Sequence, residues 1–357
     1  MDIQATNLQQ HSTEFLVKKH KDFLKRCFDC FPSYYGSLEC HSVTLLFFTL
    51  SGLDVLDGLD SYITADDKKQ CIDWVYKLQL GLASDCQPHA YGFRGSLTSA
   101  PNGMFCDFDS GNLAQTYSSL CCLMILGDDL LRVDKKAILV GVRLSQTEDG
   151  SFYARGRESE NDMRFIFCAV AICKILDGVS AIRVDRLCDY IRKSIAYDGG
   201  IAQGPGLESH GGSTYCAIAT LSLLGRLWDE SVLTKTQIER LRKWCLNKQD
   251  CGFHGRAHKP DDTCYGFWIG ATLTILGSYS FVDQNRLREF LLFCQNPESG
   301  GFVKSPGGFP DVLHTYFSIA ALSLMHEPSL NPINAALNLS RRAADSITRR
   351  AINTMQF

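Results

Sequence analysis

Two kinds of apolar block alternate along this chain. In the first kind, apolar residues recur every three or four positions among charged ones, at 71–80, 184–196, 238–247 and 286–294. That pattern predicts amphipathic helices, one face in a core and the other in water. In the second kind, at 113–126, 165–176, 214–224, 264–276 and 314–325, hardly a charge interrupts Leu, Ile, Ala and Cys. Helices apolar on all sides belong inside a fold. Ahead of these blocks come the turns Tyr91-Gly92-Phe93, Gly150-Ser151-Phe152, Gly199-Gly200-Ile201, Cys251-Gly252-Phe253 and Gly300-Gly301-Phe302, spaced by 59, 49, 52 and 49 residues. A period near this length built from helix pairs predicts stacked α-hairpins, amphipathic helix outside and apolar helix inside. Inner helices this apolar and rich in small residues favour an all-α, closed α/α toroid around a central cavity over an open solenoid.

The flanks differ from the repeats. Residues 1–40 open on a polar stretch and continue into a basic helical segment at 15–31, with Lys18, Lys19, Lys21, Lys25 and Arg26; an apolar helix begins at Ser42. The barrel is expected over 41–330. Residues 331–357, with Arg341, Arg342, Arg349 and Arg350, read as a polar helical tail.

Composition narrows the class. With 357 residues, 45% of them hydrophobic, the chain can bury a large core. A net charge of -3 argues against a nucleic-acid partner, for which a basic excess is expected. Sixteen cysteines and no apolar signal core at the start point to a reducing, cytoplasmic setting with free thiols. Cys121, Cys122, Cys168 and Cys216 sit among apolar neighbours and read as core. No run of about 18 apolar residues suggests a membrane span.

Candidate chemistry recurs at one place in every repeat, at the start of the inner helix. The residues are Asn112-Leu-Ala-Gln115, Asp162-Met-Arg164, His210-Gly-Gly-Ser213, Asp262-Thr-Cys264 and Asp311-Val-Leu-His314. In a toroid these positions converge on one mouth. Asp262, Cys264 and His314 then offer a carboxylate, a thiolate and an imidazole, three ligands that leave a fourth position open, as in catalytic zinc sites. His210, Arg256, Lys259 and Tyr265 add cations and donors beside helix N-termini, which describes a phosphate site. The plainer reading of each residue is a helix cap or a solvated rim, and for Asp162 and Asp311 capping is as good an account as any.

These repeats, with His-Gly-Gly at 210–212, Gly-Arg-x-x-Lys-x-x-Asp-x-Cys-Tyr at 255–265 and Asp-x-x-His-Thr at 311–315, resemble the β subunits of the protein prenyltransferases over roughly residues 40–330. The resemblance implies an α/α barrel paired with a separate α subunit, attaching an isoprenoid to a C-terminal cysteine. It implies zinc on Asp262, Cys264 and His314, and lipid diphosphate on His210, Arg256, Lys259 and Tyr265. The stretches at 47–54, 108–111 and 126–130 look most like the type I geranylgeranyl-transferring members, whose substrates are CaaX proteins such as small GTPases, often ending in Leu. By the same resemblance Thr44 and Phe317 stand where farnesyl-specific members carry bulkier aromatics, with Thr44 near the deep end of the lipid cavity. Leu313 is also the type I choice. Lys304 replaces an aspartate that helps bind magnesium, so magnesium is expected to be dispensable. Phe47, Phe48, Trp268 and Phe317 are expected along the lipid wall, and Ala114, Phe165 and Thr44 around the last substrate residue. Arg164 is expected to position the peptide's end. Asn112 departs from the histidine of the vertebrate-like pattern, which leaves the preference there open.

Two other classes compete on residues alone. Terpene cyclisation needs Asp-Asp-x-x-Asp or Asp-x-Asp-Asp, and Asp66-Asp67, Asp128-Asp129 and Asp261-Asp262 lack the further aspartate. A non-catalytic solenoid scaffold would have no use for a convergent ligand set.

Overall fold

The computed structural model describes residues 14–82, 84, 86–98, 110–156 and 159–347; Phe108, Asp109, Arg349 and Arg350, singled out above, lie outside them. Helices alternate between an outer and an inner layer. The outer ones are α1 (Val17–Asp29), α3 (Ala65–Lys77), α5 (Lys135–Ser145), α7 (Val184–Lys193), α9 (Lys235–Leu246) and α11 (Gln284–Phe293). The inner ones are α2 (Ser42–Val55), α4 (Leu113–Ile125), α6 (Met163–Ile175), α8 (Gly211–Leu224), α10 (Cys264–Ile275) and α12 (Val312–Leu324). Each inner helix packs on the next, and α12 packs back on α2, so the inner layer is a closed ring. The chain is an α/α toroid.

Burial follows the two patterns of the sequence. In α6 every residue from Phe165 to Cys173 is buried, whereas α7 buries only Leu187, Cys188, Tyr190 and Ile191. Outer helices start on local chemistry: Thr64 in α3 and Thr234 in α9 form capping boxes with Asp67 and Gln237. Small residues set how closely inner helices approach. A Cβ added at Gly266 of α10 would stand 3.1 Å from the Ala321 methyl of α12.

The repeat turns anchor each hairpin. Phe93, Phe152, Ile201, Phe253 and Phe302 are fully buried. The N–H groups of Phe93, Ile201 and Phe302 donate to the hydroxyls of Thr116, Thr214 and Thr315 on the following inner helices, at 2.9, 3.0 and 2.9 Å. At one of these turns glycine is required twice over: the φ of Gly150 is +98°, and a Cβ there would fall 2.2 Å from the Arg186 carbonyl oxygen.

The N-terminal segment supplies the outer helix at the ring's seam. His20 of α1 is buried, stacks on Phe302 with centroids 4.5 Å apart, accepts the Gly301 N–H on Nδ1 at 3.0 Å and meets Gln295 through Nε2 at 3.2 Å. A 3-10 run, Ser33–His41, leads into α2, and the joined stretch Ser33–Val55 is long and apolar enough to cross a membrane by length and composition alone. In the fold α2 is instead enclosed by α1, α4 and α12. The cysteines described are free thiols, and Cys121, Cys122, Cys168 and Cys216 are buried.

The tail departs from expectation. Residues Ile333–Asn334 and Leu339–Ser340 pair as an antiparallel hairpin, and only Arg341–Ala344 makes one helical turn. The hairpin enters the barrel end formed by the inner-helix C-termini. It reaches into the barrel, where Tyr117, Tyr215 and Tyr316, in the N-terminal halves of their helices, donate hydroxyls to the carbonyls of Leu337, Ala335 and Asn338, at 2.7, 2.9 and 2.8 Å. Asn331 donates to the Asp54 carbonyl, and Ser340 and Arg342 bond to the buried Asp54 carboxylate. Charge in the tail predicts a polar helix. Three buried tyrosines and a buried aspartate needing partners make it a plug.

Candidate functional site

The opposite end is built from helix N-termini. Each inner helix donates a leading N–H to the neighbouring repeat: Val43 to Gly95 O, Leu113 to Ala154 O, Met163 to Gln203 O, Gly211 to Gly255 O and Thr263 to Lys304 O, at 2.8–3.0 Å. The sixth, Val312, donates to the Tyr35 hydroxyl at 3.0 Å. The chain of bonds runs right round the ring, so the six N-termini share one mouth with their positive ends facing it. The repeated polar residues cap these helices. Asn112, Asp162, His210 and Asp311 each accept N–H groups two or three residues on, and Asp262 accepts that of Cys264 at 3.0 Å.

At one sector the caps do more. The ligand atoms of Asp262, Cys264 and His314 lie within 4.8 Å of one another, a group that could hold a metal ion. Asp262 and Cys264 are buried, and Asp262 Oδ1 stands 3.4 Å from His314 Nε2. Burial opposes a charged imidazole, but hydrogen bonds to Asp262 and Asp311 outweigh it and carry the His314 pKa up to about 9. Burial first, then the Asp262 carboxylate, push the Cys264 thiol well above its ordinary value. One proton on nitrogen and one on sulfur thus sit where a single divalent ion would displace both.

Asp311 has a role beyond the cap that sequence reasoning left open. Its Oδ1 accepts the His314 N–H at 2.8 Å, and its Oδ2 accepts from His314 Nδ1 at 2.6 Å. That bond commits Nδ1 and turns Nε2 toward Asp262, the outer-shell arrangement found around metal-bound histidines. The sign was available in Asp-x-x-His at helix spacing.

The cationic side is looser. His210 Nδ1 accepts from the Gly212 and Ser213 N–H groups at 3.0 and 3.3 Å, so Nε2 carries the proton and meets the Tyr265 hydroxyl at 3.1 Å. Burial, then the Arg256 charge, lowers the His210 pKa, in keeping with a neutral ring. With Nε2–H donating to its oxygen, the Tyr265 O–H is left to donate elsewhere. Arg256 is exposed, 3.8 Å from Glu208, and Lys259 is exposed on the same turn. Lys304 belongs with the first group: its Nζ is 3.8 Å from Asp262 Oδ2.

Below the mouth an aromatic girdle closes on itself. Phe47–Tyr117, Tyr117–Phe167, Phe167–Tyr215, Tyr215–Phe267, Phe267–Phe317 and Phe317–Phe48 have centroids 5.3–5.7 Å apart, one step per inner helix. Trp268 packs on Phe317 at 4.2 Å. Phe48 and Trp268 are partly exposed, while Phe317 is buried beneath them. Thr44 stands about one turn nearer the mouth than Phe48, donating to Gln115 Oε1 at 2.8 Å. It is therefore not deep along the barrel axis. In ring order α2 lies opposite α8, so Thr44 is far from His210 across the barrel instead.

A cavity of about 400 Å³ opens beside α4, lined in part by His41, Arg94, Asn112, Gln115 and Glu160. Ala114 and Leu313 are half-buried, but Phe165 is only 3% exposed and belongs to the core, its ring 5.2 Å under the Arg164 guanidinium. Arg164 is already paired, with Asp162 at 2.7 Å and Glu160 at 3.0 Å.

Residues 15–339 match the model of the prenyltransferase alpha-alpha toroid domain. The chain is 38% identical to the geranylgeranyl transferase type-1 subunit beta of Arabidopsis thaliana, over 94% of this chain and 92% of that protein. It is 39% identical to the protein of the same name from Dictyostelium discoideum, over 92% of this chain and 96% of that one. A solved structure of Candida albicans protein geranylgeranyltransferase-I complexed with GGPP has the same fold, with a TM-score of 0.84 at 23% identity, covering 94% of this chain and 99% of that one.

Proposed function

This chain belongs to the prenyltransferase alpha-alpha toroid family, and on that premise we propose that it is the catalytic β subunit of a type 1 protein geranylgeranyltransferase. It works with a separate α subunit, in the cytoplasm, and joins a 20-carbon isoprenoid from geranylgeranyl diphosphate to the cysteine thiol of CaaX proteins such as small GTPases. The observation that carries this reading is the convergence of Asp262, Cys264 and His314 at a mouth lined with helix N-termini. The donor set of one carboxylate, one thiolate and one imidazole fits zinc, which when bound keeps a substrate thiol ionised at neutral pH. Asp311 holds the His314 ring in register through its 2.6 Å bond.

The leaving diphosphate is received by the other sector. Tyr265, with its oxygen occupied by His210, offers its proton to a diphosphate oxygen. Arg256 and Lys259, exposed and without a strong internal partner among the described residues, supply charge-assisted hydrogen bonds. Lys304, close to Asp262, brings positive charge to the gap between thiol and leaving group, so magnesium is not required. The lipid runs across the barrel from His210 toward α2 along Phe48 and Trp268. Burial of its chain contributes about 0.8 kcal/mol per CH₂. The cavity beside Asn112, with Ala114, Leu313 and Arg164 near the same rim, takes the peptide's end.

The test is transfer by the chain co-expressed with an α subunit, offered both lipid diphosphates and peptides ending in Leu, Ser or Met. Geranylgeranyl transfer to Leu-ending peptides is expected. Thr44→Trp places a large ring on the wall opposite His210 and shifts the product ratio toward farnesyl, with metal content unchanged. An unchanged ratio shows that Thr44 is not the gate and takes away the main physical support of the type 1 assignment. Absence of any transfer leaves a scaffold.

A further inference from the structure

We propose that the chain holds a second divalent metal ion, on Asp250, His254 and Asp261, in the loop that also carries Asp262. The ligand atoms of these three residues lie within 4.8 Å of one another. His254 Nδ1 stands 3.6 Å from Asp250 Oδ2 and 3.8 Å from Asp261 Oδ1. Those separations are too long for hydrogen bonds. His254 Nδ1 and Asp261 Oδ1 are nevertheless both buried atoms with no hydrogen-bond partner among the described residues. A buried polar atom left unmatched costs about 1–3 kcal/mol, so two of them 3.8 Å apart call for a shared occupant.

The spacing suits a metal. Two ligands on a tetrahedral ion with bonds of about 2.0–2.2 Å are separated by about 3.3–3.6 Å, within a few tenths of an ångström of the observed distances. The backbone also prepares the donors. Asp261 is held by the Gly252 N–H donating to its Oδ2 at 2.7 Å, which leaves Oδ1 facing His254. The His254 N–H donates to Lys248 O at 3.0 Å, and Gln249 pairs with Phe253, closing a tight turn. Asp250 is 74% exposed and completes the set from the solvent side. Imidazole and carboxylates without a thiolate favour zinc or a similar first-row divalent ion over calcium or magnesium. The ion ties the turn after α9 to the segment that sets Asp262, because the Asp262 N–H donates to Phe253 O at 3.1 Å.

The proposal stands apart from the catalytic reading and is tested separately. The full chain, co-purified with its α subunit, is equilibrated with zinc and its metal is counted, with α subunit alone as blank. Two equivalents are expected in the wild type and one in Cys264→Ala. One is also expected in His254→Gln, and in Asp250→Asn at least a tenfold weaker second equivalent. Replacement by cobalt separates the sites: thiolate charge-transfer absorption follows Cys264, and the second equivalent adds none. One equivalent in the wild type that shows the thiolate band and is lost in Cys264→Ala, or a second that survives unchanged in both Asp250→Asn and His254→Gln, overturns the site. Asp250 is at the surface, so its variant decides the matter if His254→Gln does not fold. Failure of the first equivalent alone bears on the catalytic reading and not on this one.

Discussion

The two ends of this barrel use the same inner helices for opposite purposes. At the mouth, six N-termini are bonded to neighbouring segments, five of them are capped by polar side chains, and the groups left over converge. At the other end, the C-termini meet a hairpin of the chain's own tail, bonded to three tyrosine hydroxyls and the Asp54 carboxylate. One end keeps polar groups available and the other satisfies them. Stability and chemistry should therefore separate along the barrel axis.

Arg342→Ala should show the largest effect. It removes the cation facing a carboxylate whose side chain is only 3% exposed, and Arg342 itself is half-exposed. The stability loss is expected to be on the order of 3 kcal/mol, with metal content of the folded protein unchanged. Chemical denaturation alongside metal analysis checks it. A simultaneous loss of metal would mean that the two ends are coupled.

Asp311→Asn works the other way. Asparagine still caps α12 but no longer holds the His314 ring as a carboxylate does. Metal affinity should fall about 10–100-fold with little change in melting temperature. A thermal shift with unaltered metal binding would reduce Asp311 to a cap.

The smallest effect is expected at the seam, which belongs to neither end. Burial first, only partly offset by Gln295, lowers the His20 pKa from about 6.5 to about 4. Below pH 6.5 the unfolded chain takes up a proton that the folded chain refuses, so stability falls as pH drops through the window from 6.5 toward 4 and is flat above it. At about pH 5.5 the loss attributable to this group is about 1.4 kcal/mol. His20→Gln should flatten this part of the profile in urea unfolding at several pH values. An unchanged slope would assign the acid sensitivity to other groups.

Much of this was legible in the residues. Two hydrophobic patterns in alternation separated inner from outer helices, because a helix without a polar face has no stable place at a surface. The period of the Gly-Phe turns fixed the hairpin unit, since only glycine accepts the positive φ and the close approach that Gly150 makes to Arg186. Asp262, Cys264 and His314 could be grouped because equivalent repeat positions must share one end of any stacked array. Closure of the ring, however, depends on α12 meeting α2 across most of the chain, a contact between distant segments that no local pattern specifies. The same holds for the tail. Its charges predict a polar helix, yet Tyr117, Tyr215 and Tyr316 inside the barrel and Asp54 at its C-terminal end present polar groups that need partners. The tail's backbone answers them as a hairpin. Thr44 was legible as a small residue on a wall, but which wall, and opposite what, followed only from the order of helices around the ring. Local pattern determined what each segment is; the satisfaction of buried polar groups between distant segments decided where each one goes.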